Sequence, residues 1–290
     1  MNVLKFGGTS VANAENIIKV INILKSEAKD TQLLAVISAL GGITDVLLEA
    51  GELANAKDEA YLTTFDAIKA RHLETVEALF PEHIKEDIIS EVSAILERLK
   101  DILQGIYLIN EFSFKTRDKV LSFGELLSSY IISEALKLHV KDAQLKDSRE
   151  LIATDSYFTK ANIKEELTNQ NITSYFKSSK ASVTVLPGFI SRNEIGETTT
   201  LGRGGSDYTA AILASALNAS QLEIWTDVSG MYTANPKLVK QAFPIERLSY
   251  QEAMELSHFG AKVLYPPTVQ PVLDLGIPIH IKNTMQPEAS

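Results

Sequence analysis

Apolar and polar positions follow two rhythms along this chain. Asn2-Val3-Leu4-Lys5-Phe6 is a short, mostly apolar run broken by Gly7-Gly8-Thr9-Ser10, which predicts a buried strand ending in a glycine loop. Ile17, Val20, Ile21, Leu24 and Ala28 then recur at helical spacing. Leu33-Leu34-Ala35-Val36-Ile37 is unbroken apolar sequence, as expected of a parallel strand covered on both faces, and it runs into a second glycine loop, Ser38 to Asp45. Strand, glycine loop, helix, twice over, predicts an α/β fold. Right-handed crossovers then place both loops at the carboxyl edge of one sheet, where such folds bind ligands.

Residues 46 to about 138 read as a helical block, with amphipathic stretches near 60–79, 84–104 and 118–138. The pattern weakens through 139–180, where Phe158 to Lys177 reads as a polar helical segment. Strand character returns at Ser182 to Leu186 and at Leu222 to Trp225, with a helix expected over Tyr208 to Leu217 between them. A helix at Ser249 to Phe259, a last one at about 268–275 and a strand from Ile277 to Ile281 complete the series. No fixed-period repeat and no Pro/Gly/Ser-rich linker divides the chain.

Composition narrows the functional classes. A net charge of -9 argues against a general nucleic-acid surface, though not against an anionic small substrate held by a few local cations. With no cysteine, disulfides and thiolate metal sites are excluded. The first residues lack a signal-peptide core, and no apolar run approaches the roughly 18 residues of a membrane span. A cytoplasmic enzyme or binding protein is expected, with no membrane and no nucleic-acid partner.

The densest chemistry lies in Thr198-Thr199-Thr200-Leu201-Gly202-Arg203-Gly204-Gly205-Ser206-Asp207. Three glycines in four positions let backbone approach a ligand, and the following helix N-terminus offers free N–H groups to an anion. The stretch is neither a Walker A loop nor a dinucleotide fingerprint, since Asp207 stands where the third glycine is needed. Converging loops would bring Lys5, Ser10, Ser38, Thr44, Arg203 and Asp207 together. Cations, hydroxyls, backbone amides and one acid suit phosphoryl transfer by positioning and charge stabilisation. The five histidines show no metal-ligand spacing and no G-x-S-x-G elbow is present.

Taken in order, Lys5-Phe6-Gly7-Gly8-Thr9-Ser10-Val11, Ser38-Ala39 through Gly42-Ile43-Thr44, Ser122-Phe123-Gly124-Glu125, Leu201 through Asp207, and Thr226-Asp227-Val228 with Gly260-Ala261-Lys262-Val263-Leu264 resemble the signature of aspartokinases. The resemblance spans residues 3 to about 284. It implies a three-layer α/β/α amino-acid-kinase fold with a mainly parallel central sheet and an extra helical block. An amino-acid lobe (about 1–190, including 46–138) and a nucleotide lobe (about 191–284) would make up one catalytic domain. The implied activity is ATP-dependent phosphorylation of the L-aspartate side-chain carboxylate, the first step toward lysine, threonine and methionine. MgATP and L-aspartate would be the partners, with Mg²⁺ brought by the phosphates and no metal site in the protein.

By the same resemblance, Lys5 and Lys262 contact the phosphates and Asp207 organises them. Arg203 holds the substrate α-carboxylate, Glu125 receives the α-ammonium, and Ser38 and Thr44 complete the amino-acid pocket. Lys5, Gly7, Gly8, Ser10, Thr226, Asp227, Tyr232, Lys237, Lys262 and Val263 would surround ATP. Two stretches depart from the usual pattern. Asn235-Pro236-Lys237 stands for Asp-Pro-Arg, and Tyr265-Pro266-Pro267 for His-Pro-Arg. A sibling carboxylate kinase and a non-catalytic amino-acid-binding module are the alternatives. The polar end after Lys282 reads as the exit from the catalytic module of a longer polypeptide, with regulatory domains absent and a homo-oligomer expected of the full-length protein.

Overall fold

The computed structural model describes residues 1–29, 31–234, 238–258, 265 and 268–289. Its centre is β1 (Asn2–Phe6), followed by α1 (Ala14–Glu27) and β2 (Leu33–Ile37). Four helices come next: α2 (Ile43–Asn55), α3 (Ala60–Leu79), α4 (Glu82–Ile109) and α5 (Phe114–Lys137). Two-residue strands β3 (Gln144–Leu145) and β4 (Ala153–Thr154) precede α6 (Glu165–Ser178), β5 (Val183–Pro187), β6 (Ile190–Asn193) and β7 (Thr198–Thr200). The chain continues through α7 (Gly205–Ala216), β8 (Gln221–Thr226), α8 (Tyr250–His258), α9 (Gln270–Leu273) and β9 (Ile279–Asn283).

Among the described residues six strands form one sheet, in the order β3-β5-β2-β1-β8-β9, and all its pairings are parallel. Because successive side chains on a strand point to opposite faces, the sheet feeds two cores. Leu4, Phe6, Leu33, Ala35, Ile37, Val183 and Val185 pack with the helices from α1 to α5. Val3, Leu34, Val36, Leu186, Leu222 and Ile224 pack with α6, α7 and α9. The result is three layers, and the sheet runs continuously through both of the lobes expected from sequence. A small sheet, β4-β6-β7, stands beside it, with β6 and β7 antiparallel.

The helical block is a scaffold for α5. In α4 the residues Ile88, Val92, Leu96, Leu99, Leu103 and Ile106 form one buried stripe at spacings of three and four, and the helix stops at Asn110, whose φ of 57° ends the α-helical path. Ser113 caps α5 by accepting the Thr116 N–H. Helix α5 is then buried on several sides, with Gly124 facing the loop after β2. A Cβ there would stand 2.8 Å from the Ala39 Cβ, so glycine permits the close approach.

The structure corrects several boundaries. Helix α7 begins at Gly205, not Tyr208, because Gly204 takes a left-handed φ of 71° and starts the helix directly after the glycine turn. Asp207 therefore lies in the first helical turn. Thr198–Thr200 is a strand rather than loop, its backbone paired with β6. The polar segment expected as helix from Phe158 becomes helical only at Glu165. Before that, Asp155 ties up the chain by accepting N–H groups of Tyr157 and Asn162. The last helix shrinks to Gln270–Leu273, and the final strand starts at Ile279, just past Pro278.

Candidate active site

The carboxyl ends of β1 and β2 and the N-termini of α2 and α7 surround a cavity of about 520 Å³. Lys5, Ser38, Thr44, Glu125, Arg203 and Asp207 all line it, together with Gly8 and the segments Ala39–Gly42 and Gly202–Ser206. Two helix N-termini facing one cavity favour negative charge within it, through free N–H groups and the aligned peptide dipoles.

Lys5 lies at the end of β1, and its ammonium pairs with Asp207 Oδ1 at 2.7 Å, each side chain being only 12% exposed. This pair ties the centre of the sheet to the first turn of α7. At that distance and depth the carboxylate fixes the ammonium in one orientation, which a solvated lysine would not keep.

Glu125 is held from the other side. Its Oε1 accepts the Ala39 N–H at 3.2 Å, while Oε2 is buried with no hydrogen-bond partner. Burial pushes the acid up to about 8, although the Ala39 N–H and the charge of Lys5 both act against that rise. One turn further along α5, the Ser128 hydroxyl donates to the Ser38 carbonyl at 2.8 Å. Helix α5 thus grips both the carbonyl and the N–H of the Ser38–Ala39 peptide group at the exit of β2.

Arg203 is carried at the cavity mouth between Gly202 and Gly204, whose φ values of 73° and 71° a side chain would resist. Its guanidinium lies 5.4 Å from the centre of the Tyr265 ring. Tyr265 is one of the residues where the sequence departs from the aspartokinase pattern, and a planar cation stacked on a ring keeps its fork of donors free at its edge.

Ser10 is not brought to the cavity. It is fully buried, its hydroxyl donating to the Trp225 carbonyl at 3.1 Å and sharing a 2.7 Å bond with the Thr284 hydroxyl. Its group is committed to joining the first glycine loop to β8 and the segment after β9. Gly7 supports the same junction through its N–H to the Trp225 carbonyl. Gly8 packs against the second loop, where a Cβ would lie 3.2 Å from the Ala39 carbonyl oxygen. Thr226 donates to Asp227 Oδ1 in the turn after β8, and Tyr232 bridges to Pro244. Beside them a second cavity, about 760 Å³, is lined by Met231, Ile245, Met254 and Lys282 among others. Lys237, Lys262 and Val263 lie outside the described residues.

Sequence reasoning missed Arg117, Leu121, Thr159, Phe189 and Thr200, which also line the first cavity. Arg117, Leu121 and Glu125 are four residues apart along α5, so the helical period carried a signal for the first two. Arg117 is half-buried and its guanidinium reaches Glu52 at 3.3 Å. Phe189 and Thr159 have φ values of 67° and 71°, unusual for non-glycine residues and invisible in sequence.

A sequence profile of the amino acid kinase family matches residues 1–283. The chain belongs to the amino acid kinase family. Among its curated relatives in that family is an aspartokinase of Chlamydia pneumoniae, 35% identical over 99% of this chain and 61% of the relative. A bifunctional aspartokinase/homoserine dehydrogenase of Buchnera aphidicola is 35% identical over 98% of this chain and 35% of the relative. The crystal structure of Escherichia coli aspartokinase III in complex with aspartate and ADP superposes with a TM-score of 0.89 at 35% identity, covering all of this chain and 63% of that one. This amino acid kinase chain therefore spans between about a third and two thirds of the length of these relatives.

Proposed function

We propose that this chain phosphorylates the side-chain carboxylate of L-aspartate with MgATP, as the kinase module of an aspartokinase. The observation that carries the reading is one cavity holding an acid with an unpartnered oxygen, Glu125, a guanidinium on a glycine turn, Arg203, and the Lys5–Asp207 pair. An α-amino acid offers an ammonium and a carboxylate to such a site, and a transferring phosphoryl group offers anionic oxygens. The likeness to aspartokinase III crystallised with aspartate and ADP supports aspartate over other amino acids.

In this reading Glu125 Oε2 accepts the substrate ammonium and Arg203 grips the α-carboxylate, with Ser38 and Thr44 at the wall. The side-chain carboxylate then faces Lys5. It attacks the γ-phosphorus, a new O–P bond forms, the bond from phosphorus to the bridging β,γ-oxygen breaks, and ADP leaves with that oxygen. No base is needed, because a carboxylate of pKa about 4 is already ionised at neutrality. Lys5 stabilises charge on the transferring group, and Asp207 keeps its ammonium in place. The helix N-termini at Gly42 and Gly204 add to the same field.

The nucleoside would lie toward β8, at the Thr226-Asp227 turn and Tyr232, with Gly7 and Gly8 beneath the phosphates and Lys237, Lys262 and Val263 completing its surroundings. Ser10 would support that loop from below. In this scheme Mg²⁺ arrives with the nucleotide phosphates. No helix among the described residues is long and apolar enough to cross a membrane.

The test is a hydroxamate assay of acyl-phosphate formation with a panel of acidic amino acids. Hydroxamate that depends on both aspartate and MgATP is expected. Aspartate binding without turnover, or turnover only of another acid, would sink the proposal.

A further inference from the structure

We infer that Asp118 is a positioning residue for the amino-acid clamp: it anchors the two cavity-lining threonines from which the Arg203 turn is suspended. The inference rests on the proposed function, because it concerns how that substrate is held.

Asp118 sits on α5 and is fully buried, yet it does not line the cavity itself. Its carboxylate accepts three hydrogen bonds from two distant segments. Oδ2 takes the N–H of Thr159 and the N–H of Thr200, each at 2.9 Å. Oδ1 takes the Thr200 hydroxyl at 2.7 Å. Thr159 and Thr200 both line the cavity, and the Ala161 N–H donates to the Thr200 carbonyl, so the two segments are also bound to each other. Gly202, two residues after Thr200, lies against this junction, where a Cβ would be 3.0 Å from the Thr159 carbonyl oxygen. Arg203 is the next residue.

Asp118 lies seven residues, two helical turns, before Glu125 on the same helix. Helix α5 therefore carries at one point the acid assigned to the substrate ammonium, and at another the anchor for the turn that carries the guanidinium. A rigid helix of about 1.5 Å per residue sets the spacing between these two halves of the clamp. A buried carboxylate is costly to maintain, and three hydrogen bonds with no cationic partner among them fix backbone rather than neutralise charge. Burial pushes the Asp118 acid upward and those hydrogen bonds act against it, consistent with a group retained for its acceptor geometry.

The test uses steady-state kinetics on the protein and five variants, three single and two double. Asp118→Asn keeps shape but turns an NH₂ group toward one of the present donors. Thr200→Val removes only the hydroxyl donation and guards against a poorly folded first variant. Both are also made in an Arg203→Ala background. If Asp118 acts through the Arg203 turn, Asp118→Asn raises the aspartate KM by roughly ten-fold or more while the MgATP KM stays within about two-fold, and Thr200→Val does the same more weakly. In the Arg203→Ala background the added effect shrinks to less than about two-fold, since the residue being positioned is gone. Equal changes in both KM values, or an undiminished effect in the Arg203→Ala background, would overturn the positioning role while leaving the proposed function intact. Absence of aspartate turnover in the unaltered protein would instead remove the proposed function, and this inference with it.

Discussion

Replacing Glu125 by Gln separates charge from shape at a buried wall of the cavity. The amide keeps the volume and an oxygen to accept the Ala39 N–H, but it cannot ionise and places an NH₂ donor where Oε2 would accept. With burial holding the acid near 8, about 1% of it is ionised at pH 6 and half at pH 8. If the ionised form accepts the substrate ammonium, kcat/KM for aspartate should rise about 50-fold between those pH values, and the Gln variant should show no such rise. At pH 8 the variant should lose about 2–3 kcal/mol, or roughly 30- to 150-fold, as for one partner removed from a buried charged hydrogen bond. Stability should move in the opposite sense. The folded value lies above the ordinary 4.5, so the protein is most stable with respect to this group below pH 4.5 and loses stability as pH rises toward 8. At about 1.4 kcal/mol per pH unit this amounts to some 3–5 kcal/mol, which the Gln variant should not lose. The assays are initial rates of hydroxamate formation from pH 6 to 8 and urea melts at pH 5 and 8.5. A Gln variant that keeps the unaltered protein's pH–rate rise, or its aspartate KM, would refute the assignment of Glu125.

Other expectations follow from the same geometry. Arg203→Ala should weaken aspartate use by about 2–5 kcal/mol in kcat/KM, with nucleotide affinity little changed; wild-type aspartate kinetics in a folded variant would remove it from the site. Lys5→Ala and Asp207→Asn should lower kcat more than they raise the aspartate KM, because the interaction lost is with charge developing on the phosphoryl group. Changes confined to aspartate KM would reverse the two ends of the site. Gly204→Ala should destabilise by at least about 1 kcal/mol in thermal melts and raise the aspartate KM. Its φ is 71°, and the new methyl would stand 2.9 Å from the Thr268 side chain; an unchanged melting temperature would argue against this backbone reading.

What the sequence disclosed depended on the kind of signal each element carries. Strand β2 is a continuous apolar run and β1 and β5 are mostly apolar, while α3 coincides with the amphipathic stretch read near 60–79. Strand β7 is three threonines and looks like loop. Its buried hydroxyls are satisfied by partners remote in sequence, Thr199 with Thr154 and Ser191, and Thr200 with Asp118. Two-residue strands such as β3 and β4 carry no period at all. At the site, glycine-bearing loops announced Lys5, Ser38, Arg203 and Asp207, because close backbone approach needs a residue type that sequence displays. Asp118 carried no such mark. An acid on a helix looks solvated until the fold supplies its three donors. Ser10 shows the converse, since a hydroxyl in a glycine loop looks like a ligand until its buried partners are seen.

The strand order also has a consequence for how the molecule is made. Strand β1 is made before the other strands of its sheet and lies inside it, between β2 and β8. One edge can pair once Leu33–Ile37 has emerged, but the other must wait for Gln221–Thr226. At about 5–20 residues per second, that leaves the edge of Asn2–Phe6 without its neighbour for some 10–40 s of synthesis. Unpaired apolar strand edges recruit other strands, so nascent chains stalled near residue 215 should aggregate or bind a holding chaperone, and those stalled well past 226 should not. Similar capture at both lengths would show that the edge is covered early. The strand that carries Lys5 is thus the one whose edge waits longest for its neighbour among the described strands.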